Sequence, residues 1–131
     1  KKAPGAFFYE NGEGHRFWVF AFAAYFNNEN MYRSYSRARQ LVKAVGRLTG
    51  RALPAYSSGN PDLYLLCKQD ERELAVGLWN ICPDGIYEPV VELEHACRGI
   101  RFLNCRGRLE GNRVYLSQME PFSFAGFVAE T

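Results

Sequence analysis

The chain lacks the short patterns that carry most enzyme chemistry. Gly-x-Ser-x-Gly is absent, which removes the strand-to-helix elbow that presents a hydrolase serine. No His-x-x-x-His pair and no Asp-rich loop occurs, so the common zinc and calcium ligand spacings are missing. No two cysteines stand as Cys-x-x-Cys, which disfavours a zinc ribbon. An Asn-x-Ser/Thr acceptor is also absent. No apolar run approaches the ~20 residues that a bilayer-crossing helix needs; the longest extends only from Phe17 to Phe26. A net charge of +2 over 131 residues leaves no clustered excess of the kind a dedicated nucleic-acid binder carries. Nucleic acid, membrane, metal and cofactor are therefore all absent from the expected partners. Lys1-Lys2-Ala3-Pro4-Gly5 contains neither an initiator Met nor an apolar signal region. That predicts a segment of a longer polypeptide, with any targeting signal elsewhere.

What is present is grease. Apolar residues make up 47% and aromatics 15%, enough to form a core and to argue against disorder. From Asp62 to Glu130 the chain reads as short apolar runs separated by turn residues. They are Leu63–Cys67, Leu74–Trp79, Tyr87–Leu93, Ile100–Leu103, Arg113–Leu116 and Phe122–Val128. Such lengths and spacings predict a mainly β fold, an antiparallel β-sandwich. In Leu74–Asn80, Leu74, Val76 and Leu78 share one face, with Ala75, Gly77 and Trp79 on the other. Turns are expected at Gln69–Arg72, Pro83-Asp84-Gly85 and Glu110-Gly111-Asn112. Pro89 within a strand pattern predicts an edge strand or a bulge. Cys67 and Cys105 fall in apolar runs and read as small hydrophobes. Reduced thiols predict an intracellular, cytoplasmic protein.

The first half differs. Ala6–Glu10 and Arg16–Ala24 read as an N-terminal β-hairpin closed by Asn11-Gly12, whose dipeptide favours the positive φ of a tight turn. The second run is apolar at nearly every position, which predicts cover on both faces. Asn27–Gly50 reads as one long amphipathic α-helix, capped by Asn27 or Asn28 and ended by Gly50. Met31, Tyr35, Ala38, Leu41, Val42, Val45 and Leu48 form its apolar stripe; Arg33, Arg37, Arg39, Lys43 and Arg47 line the other face. Arg51–Pro61 reads as a connector. The expected division is 1–54, hairpin plus helix and the possible end of a preceding domain, and 55–131, the sandwich.

Each reactive constellation has a plainer reading beside it. The basic helix face is explained by solvation or by docking on a neighbouring domain. His15 and His95 fall near turns, without an activated thiol context. Glu88, Glu92 and Glu94 are spaced closely enough to imitate a glycosidase carboxylate pair, but a solvated strand face explains them equally. Aromatics are the stronger signal. Trp18, Trp79, Tyr56, Tyr64, Tyr87 and Tyr115 include candidates for a ligand or interface platform, with Trp18, Trp79 and Tyr87 foremost.

The order of these segments resembles a known family. A helix ends in Leu48-Thr49-Gly50-Arg51-Ala52-Leu53-Pro54. Asn60-Pro61-Asp62-Leu63-Tyr64-Leu65-Leu66-Cys67-Lys68 follows, then Leu74–Asn80, Leu109-Glu110-Gly111 and Pro121-Phe122-Ser123-Phe124-Ala125-Gly126-Phe127. This is similar to the C-terminal β-sandwich region of bacterial multidomain glycoside hydrolases of the β-galactosidase-like kind. The resemblance implies a non-catalytic accessory domain contacting other domains or subunits of a parent enzyme. The acid and nucleophile of such enzymes would lie on a barrel outside this chain. The alternative is a carbohydrate-binding module that uses exposed aromatics.

Overall fold

Alternating burial along each strand sorts the side chains into layers. A computed structural model describes residues 5–20, 34–57, 59–60 and 62–131, which belong to two units, Lys1–Ala52 and Leu53–Thr131. In the first, β1 (Ala6–Glu10) pairs antiparallel with β2 (Arg16–Phe20), and α1 spans Tyr35–Thr49.

The hairpin loop is not the tight Asn-Gly turn expected. Glu10 pairs with Arg16, so residues 11–15 form the loop. The Asn11 side chain organises it by accepting the N–H groups of Glu13 at 3.0 Å and His15 at 2.8 Å. Positive φ falls on Gly14, at +81°, because the Asn11 carbonyl replaces the backbone acceptor of a shorter turn. Two-sided cover of β2 is also not found. Phe17 and Val19 are exposed opposite Tyr9 and Phe7, while Phe8, Trp18 and Phe20 are half-buried on the other face. A two-stranded ribbon packs one face, and here Arg47 of α1 lies 5.6 Å over the Phe8 ring. Residues 21–24 of the expected strand lie outside the described residues, as do Asn27, Asn28, Met31 and Arg33.

The helix is shorter than expected. Ser34 is extended (φ −77°, ψ 142°), so α1 begins at Tyr35 and does not run back continuously to Asn27. Gly50, at φ +71°, ends it in the left-handed conformation. Only Ala44 is fully buried, whereas Tyr35, Val45 and Leu48 are exposed. The packed seam is therefore centred on Ala44 and does not follow the full Tyr35–Leu48 stripe.

The second unit is the antiparallel two-sheet structure. β4 (Leu63–Gln69), β5 (Glu73–Asn80), β10 (Phe124–Glu130) and β7 (Gly99–Leu103) form one sheet, in the order β4-β5-β10-β7. β3 (Ala55–Tyr56), β6 (Val90–Leu93), β9 (Arg113–Leu116) and β8 (Gly107–Glu110) form the other, in the order β3-β6-β9-β8. Leu74, Val76, Leu78, Ala125 and Phe127 of the first sheet meet Val91, Leu93, Val114 and Leu116 of the second in one buried cluster. This is sandwich packing, and burial of these side chains is the main stabilising term.

Several local expectations change. β3 lies within the expected connector and β8 is an added strand, while the turn expected at Glu110-Gly111-Asn112 is found, joining β8 to β9 with Gly111 at φ +62°. Pro89 marks neither an edge strand nor a bulge. It precedes β6, which is paired on both sides. There its missing N–H is harmless, while its carbonyl accepts the Leu116 N–H at 3.1 Å. Cys105 lies in the turn after β7, its thiol 3.4 Å from the Gly126 carbonyl oxygen. Among the described residues, no helix is long and apolar enough to cross a membrane.

Candidate functional site

The register of the β4-β5-β10-β7 sheet assembles its outer face in rows. Tyr64 and Phe124 flank Trp79, forming one row across three strands. The next row is Leu66, Gly77, Gly126 and Leu103; the one after is Lys68, Ala75, Val128 and Arg101. Tyr64 is 56% and Leu66 58% exposed, and Leu103 and Phe124 are exposed as well. Ile81 and Phe122, in the loops just beyond the ends of β5 and β10, are exposed too. Charge is confined to the far rows, with Lys68, Arg101, Glu73 and Glu130. The face is thus apolar at one end and charged at the other, and its apolar part is depleted of charge as interface cores are.

The two central glycines explain how the rings lie. A Cβ on Gly77 would come within 2.9 Å of the Trp79 ring and 3.3 Å of the Phe124 ring. Glycine thus lets both aromatics lean over the sheet. The rings are not coplanar: Trp79 and Phe124 stand 4.9 Å apart at 49°, and Tyr64 and Trp79 stand 5.9 Å apart at 58°.

The other sheet presents a different outer face. Tyr56 donates to the buried Glu92 at 3.0 Å, and Glu92 is the register partner of Arg113, itself opposite Glu110. Arg108 lies 4.3 Å over the Tyr115 ring and pairs with Glu110 at 2.9 Å and Glu88 at 3.5 Å. The Glu110 hydrogen bond raises the guanidinium's already high pKa. These groups spend their polar capacity on one another, and the guanidinium occupies one side of Tyr115.

Of the foremost aromatics, only Trp79 belongs to the apolar face. Trp18 lies in the hairpin of the first unit, tilted against Phe8 and Phe20, with its indole N–H buried and without an acceptor among the described residues. Tyr87 is 78% exposed on the segment before β6. Each of the three carboxylates has a contact of its own. Glu88 faces Arg108, Glu92 accepts from Tyr56, and Glu94 contacts His95 at 3.4 Å. His15 is held by Asn11 and Glu13 in the hairpin loop. Burial pushes the Cys97 thiol above its ordinary value, the reverse of what an activated nucleophile needs.

The end of this face is held by one buried amide. Asn80 is 1% exposed. Its Nδ2 donates to the Asp84 carbonyl at 2.7 Å and the Glu120 carbonyl at 2.9 Å, while its Oδ1 accepts the Cys82 N–H at 3.0 Å. β5 thereby fixes both the loop that follows it and the loop entering β10. No protein family, curated protein or solved structure matches the chain.

Proposed function

We propose that the sandwich is a non-catalytic accessory domain of a larger glycoside hydrolase, docked through the outer face of its β4-β5-β10-β7 sheet onto another domain of the same polypeptide. The observation that carries the docking is the exposed Tyr64 and Phe124 on either side of a half-buried Trp79, with exposed Leu66 and Leu103 in the next row. Contiguous apolar surface of this kind marks a binding face. The enzyme class rests on the sequence resemblance alone.

Area favours a tethered occupant over a second copy. Four strands ~4.8 Å apart and about six residues long at ~3.4 Å each span roughly 400 Å² per side. The total of roughly 800 Å² falls below the ~1,200 Å² of stable free complexes. A tether raises the effective concentration to about the millimolar range, where a face this small suffices. Sugar recognition is the weaker reading. A pyranose stacks on flat, aligned rings, and these rings stand 49° and 58° apart.

The test places charge on the face. Leu66→Asp with Leu103→Asp should leave the melting temperature of the isolated chain within a few degrees, because both side chains already face water. In the protein expressed from the whole reading frame, the same pair should separate the sandwich's melting from that of the remainder. Unchanged joint melting would refute the docking. Saturable quenching of Trp79 fluorescence by millimolar β-linked sugars would favour the carbohydrate-binding reading instead.

A further inference from the structure

The sheets of the sandwich end on β4, β7, β3 and β8. An uncovered edge offers unpaired N–H and C=O groups to any further strand, and natural sheets blunt it with charge or brevity. β3 is only two residues long. β7 carries Arg101 at its centre, and β8 carries Arg108 and Glu110. β4 has neither device where it matters. Leu63–Cys67 contains no Lys, Arg, Asp, Glu or Pro, and β4 pairs with β5 in unbroken register over seven residues, without a bulge.

Backbone hydrogen bonds fix which groups face outward. The Asp62 carbonyl accepts the Ile81 N–H at 3.3 Å, and the Asp70 N–H donates to the Glu73 carbonyl at 3.0 Å. Bonded and outward-facing residues alternate in an antiparallel pair, so the even-numbered residues of β4 bond to β5. The N–H and C=O groups of Leu63, Leu65 and Cys67 therefore turn to the open edge. The Leu63 N–H has one long contact there, 3.5 Å to the Asn60 carbonyl. Leu65 and Cys67 show no backbone partner on that side among the described residues. Their side chains are half-buried at the margin of the core.

We propose that β4 pairs antiparallel with β4 of a second copy of this chain, across a two-fold axis at Leu65. In this register Leu65 meets the second copy's Leu65, and Leu63 meets its Cys67. Each is an outward-facing pair that exchanges two hydrogen bonds. On the outer face, Tyr64 falls opposite the second copy's Leu66, and Asp62 opposite its Lys68. Charge selects this register, because opposite charges facing each other across strands stabilise and like charges destabilise. An axis at Leu66 would set Asp62 against the second copy's Asp70, and an axis at Tyr64 would leave Lys68 facing Asn60. A two-fold contact uses the same edge on both copies and so closes at a dimer. The edge is a separate surface from the outer face, and the pairing holds whether or not that face docks.

One strand pair buries less than a standard interface, so the dimer should be weak, forming as concentration rises from ~10 to ~500 μM. Sedimentation equilibrium of the 131-residue chain over that range measures it. Lys68→Asp sets like charges opposite each other at both ends of the seam and should raise the dissociation constant about tenfold or more. Combining it with Asp62→Lys restores the opposition and should bring the constant back to within about threefold of wild type. A readout on the unaltered chain stands beside these. The Leu65 and Cys67 amides should exchange hydrogen several-fold more slowly at the top of the concentration range than at the bottom. A chain that stays monomeric throughout would overturn the proposal. So would a dimer that Lys68→Asp leaves unchanged, or one in which those two amides gain no protection.

Discussion

Replacing Asn80 is the sharpest perturbation of the sandwich itself. Its side chain makes three hydrogen bonds, to Asp84, Glu120 and Cys82, at 2.7, 2.9 and 3.0 Å. At a net ~1 kcal/mol each, Asn80→Ala should cost about 3 kcal/mol. The freed backbone groups lie at loops that water can reach, which keeps the loss from rising to the full desolvation penalty. For a unit of this size, that lowers the melting temperature by roughly 12 °C or more. Asn80→Asp is nearly isosteric but loses the donor, so its carboxylate would face the Asp84 and Glu120 carbonyl oxygens. Folding must then raise that carboxyl's pKa. A carboxyl with a raised folded pKa destabilises above that value and ceases to do so below its unfolded value. The Asp variant should therefore be weaker than wild type by much more at pH 7 than at about pH 4. Urea unfolding followed by circular dichroism at the two pH values measures both effects. An Ala variant within ~0.5 kcal/mol of wild type, or an Asp deficit independent of pH, would refute the reasoning.

Two further predictions concern the same sheet. A Cβ at Gly126 would lie 2.8 Å from the Val76 carbonyl oxygen, and backbone in a central strand pair yields little. Gly126→Ala should cost about 2 kcal/mol or more in urea melts, whereas a neutral result would mean that the strands separate freely. Asp70, in the β4–β5 turn, accepts the N–H groups of Arg72 and Glu73 at 2.8 Å each. Those bonds hold its carboxyl below the ordinary value. A lowered folded pKa stabilises above the unfolded value, and that gain is lost as pH falls through the folded one. Asp70→Ala should thus be less stable than wild type at neutral pH, with the gap closing in acid; a gap that widens in acid would contradict it.

The sandwich was legible where alternation is strong and both strand faces have distinct work. Leu74, Val76 and Leu78 were placed together on one face of β5, and that face is the buried one. β3 and β8 were not legible. β3 is only Ala55–Tyr56, and Leu109 is the sole inward apolar residue of β8 between Gly107 and Glu110. The helix was read as running unbroken from Asn27 because Asn27 and Asn28 are good caps and the apolar spacing of Met31, Tyr35 and Ala38 passes through Ser34, whose extended backbone that spacing does not reveal.

The candidate site was half legible. Trp79 stood out as a candidate aromatic on the face of its strand opposite Leu74, Val76 and Leu78. Its partners did not, because β10 inserts between β5 and β7. That pairing, distant in sequence, brings Leu66 and Leu103 into one row. Periodicity reports which way a side chain points but not which strand lies beside it.

Site-resolved hydroxyl-radical oxidation of Tyr64, Leu66 and Phe124 tests the central claim most directly. The isolated chain would be compared with the protein expressed from the whole reading frame, with Tyr87 as the exposed reference off the face. The docking account predicts that the first three are shielded several-fold in the longer protein while Tyr87 oxidises at an unchanged rate. Equal oxidation of Tyr64, Leu66 and Phe124 in both proteins would contradict it.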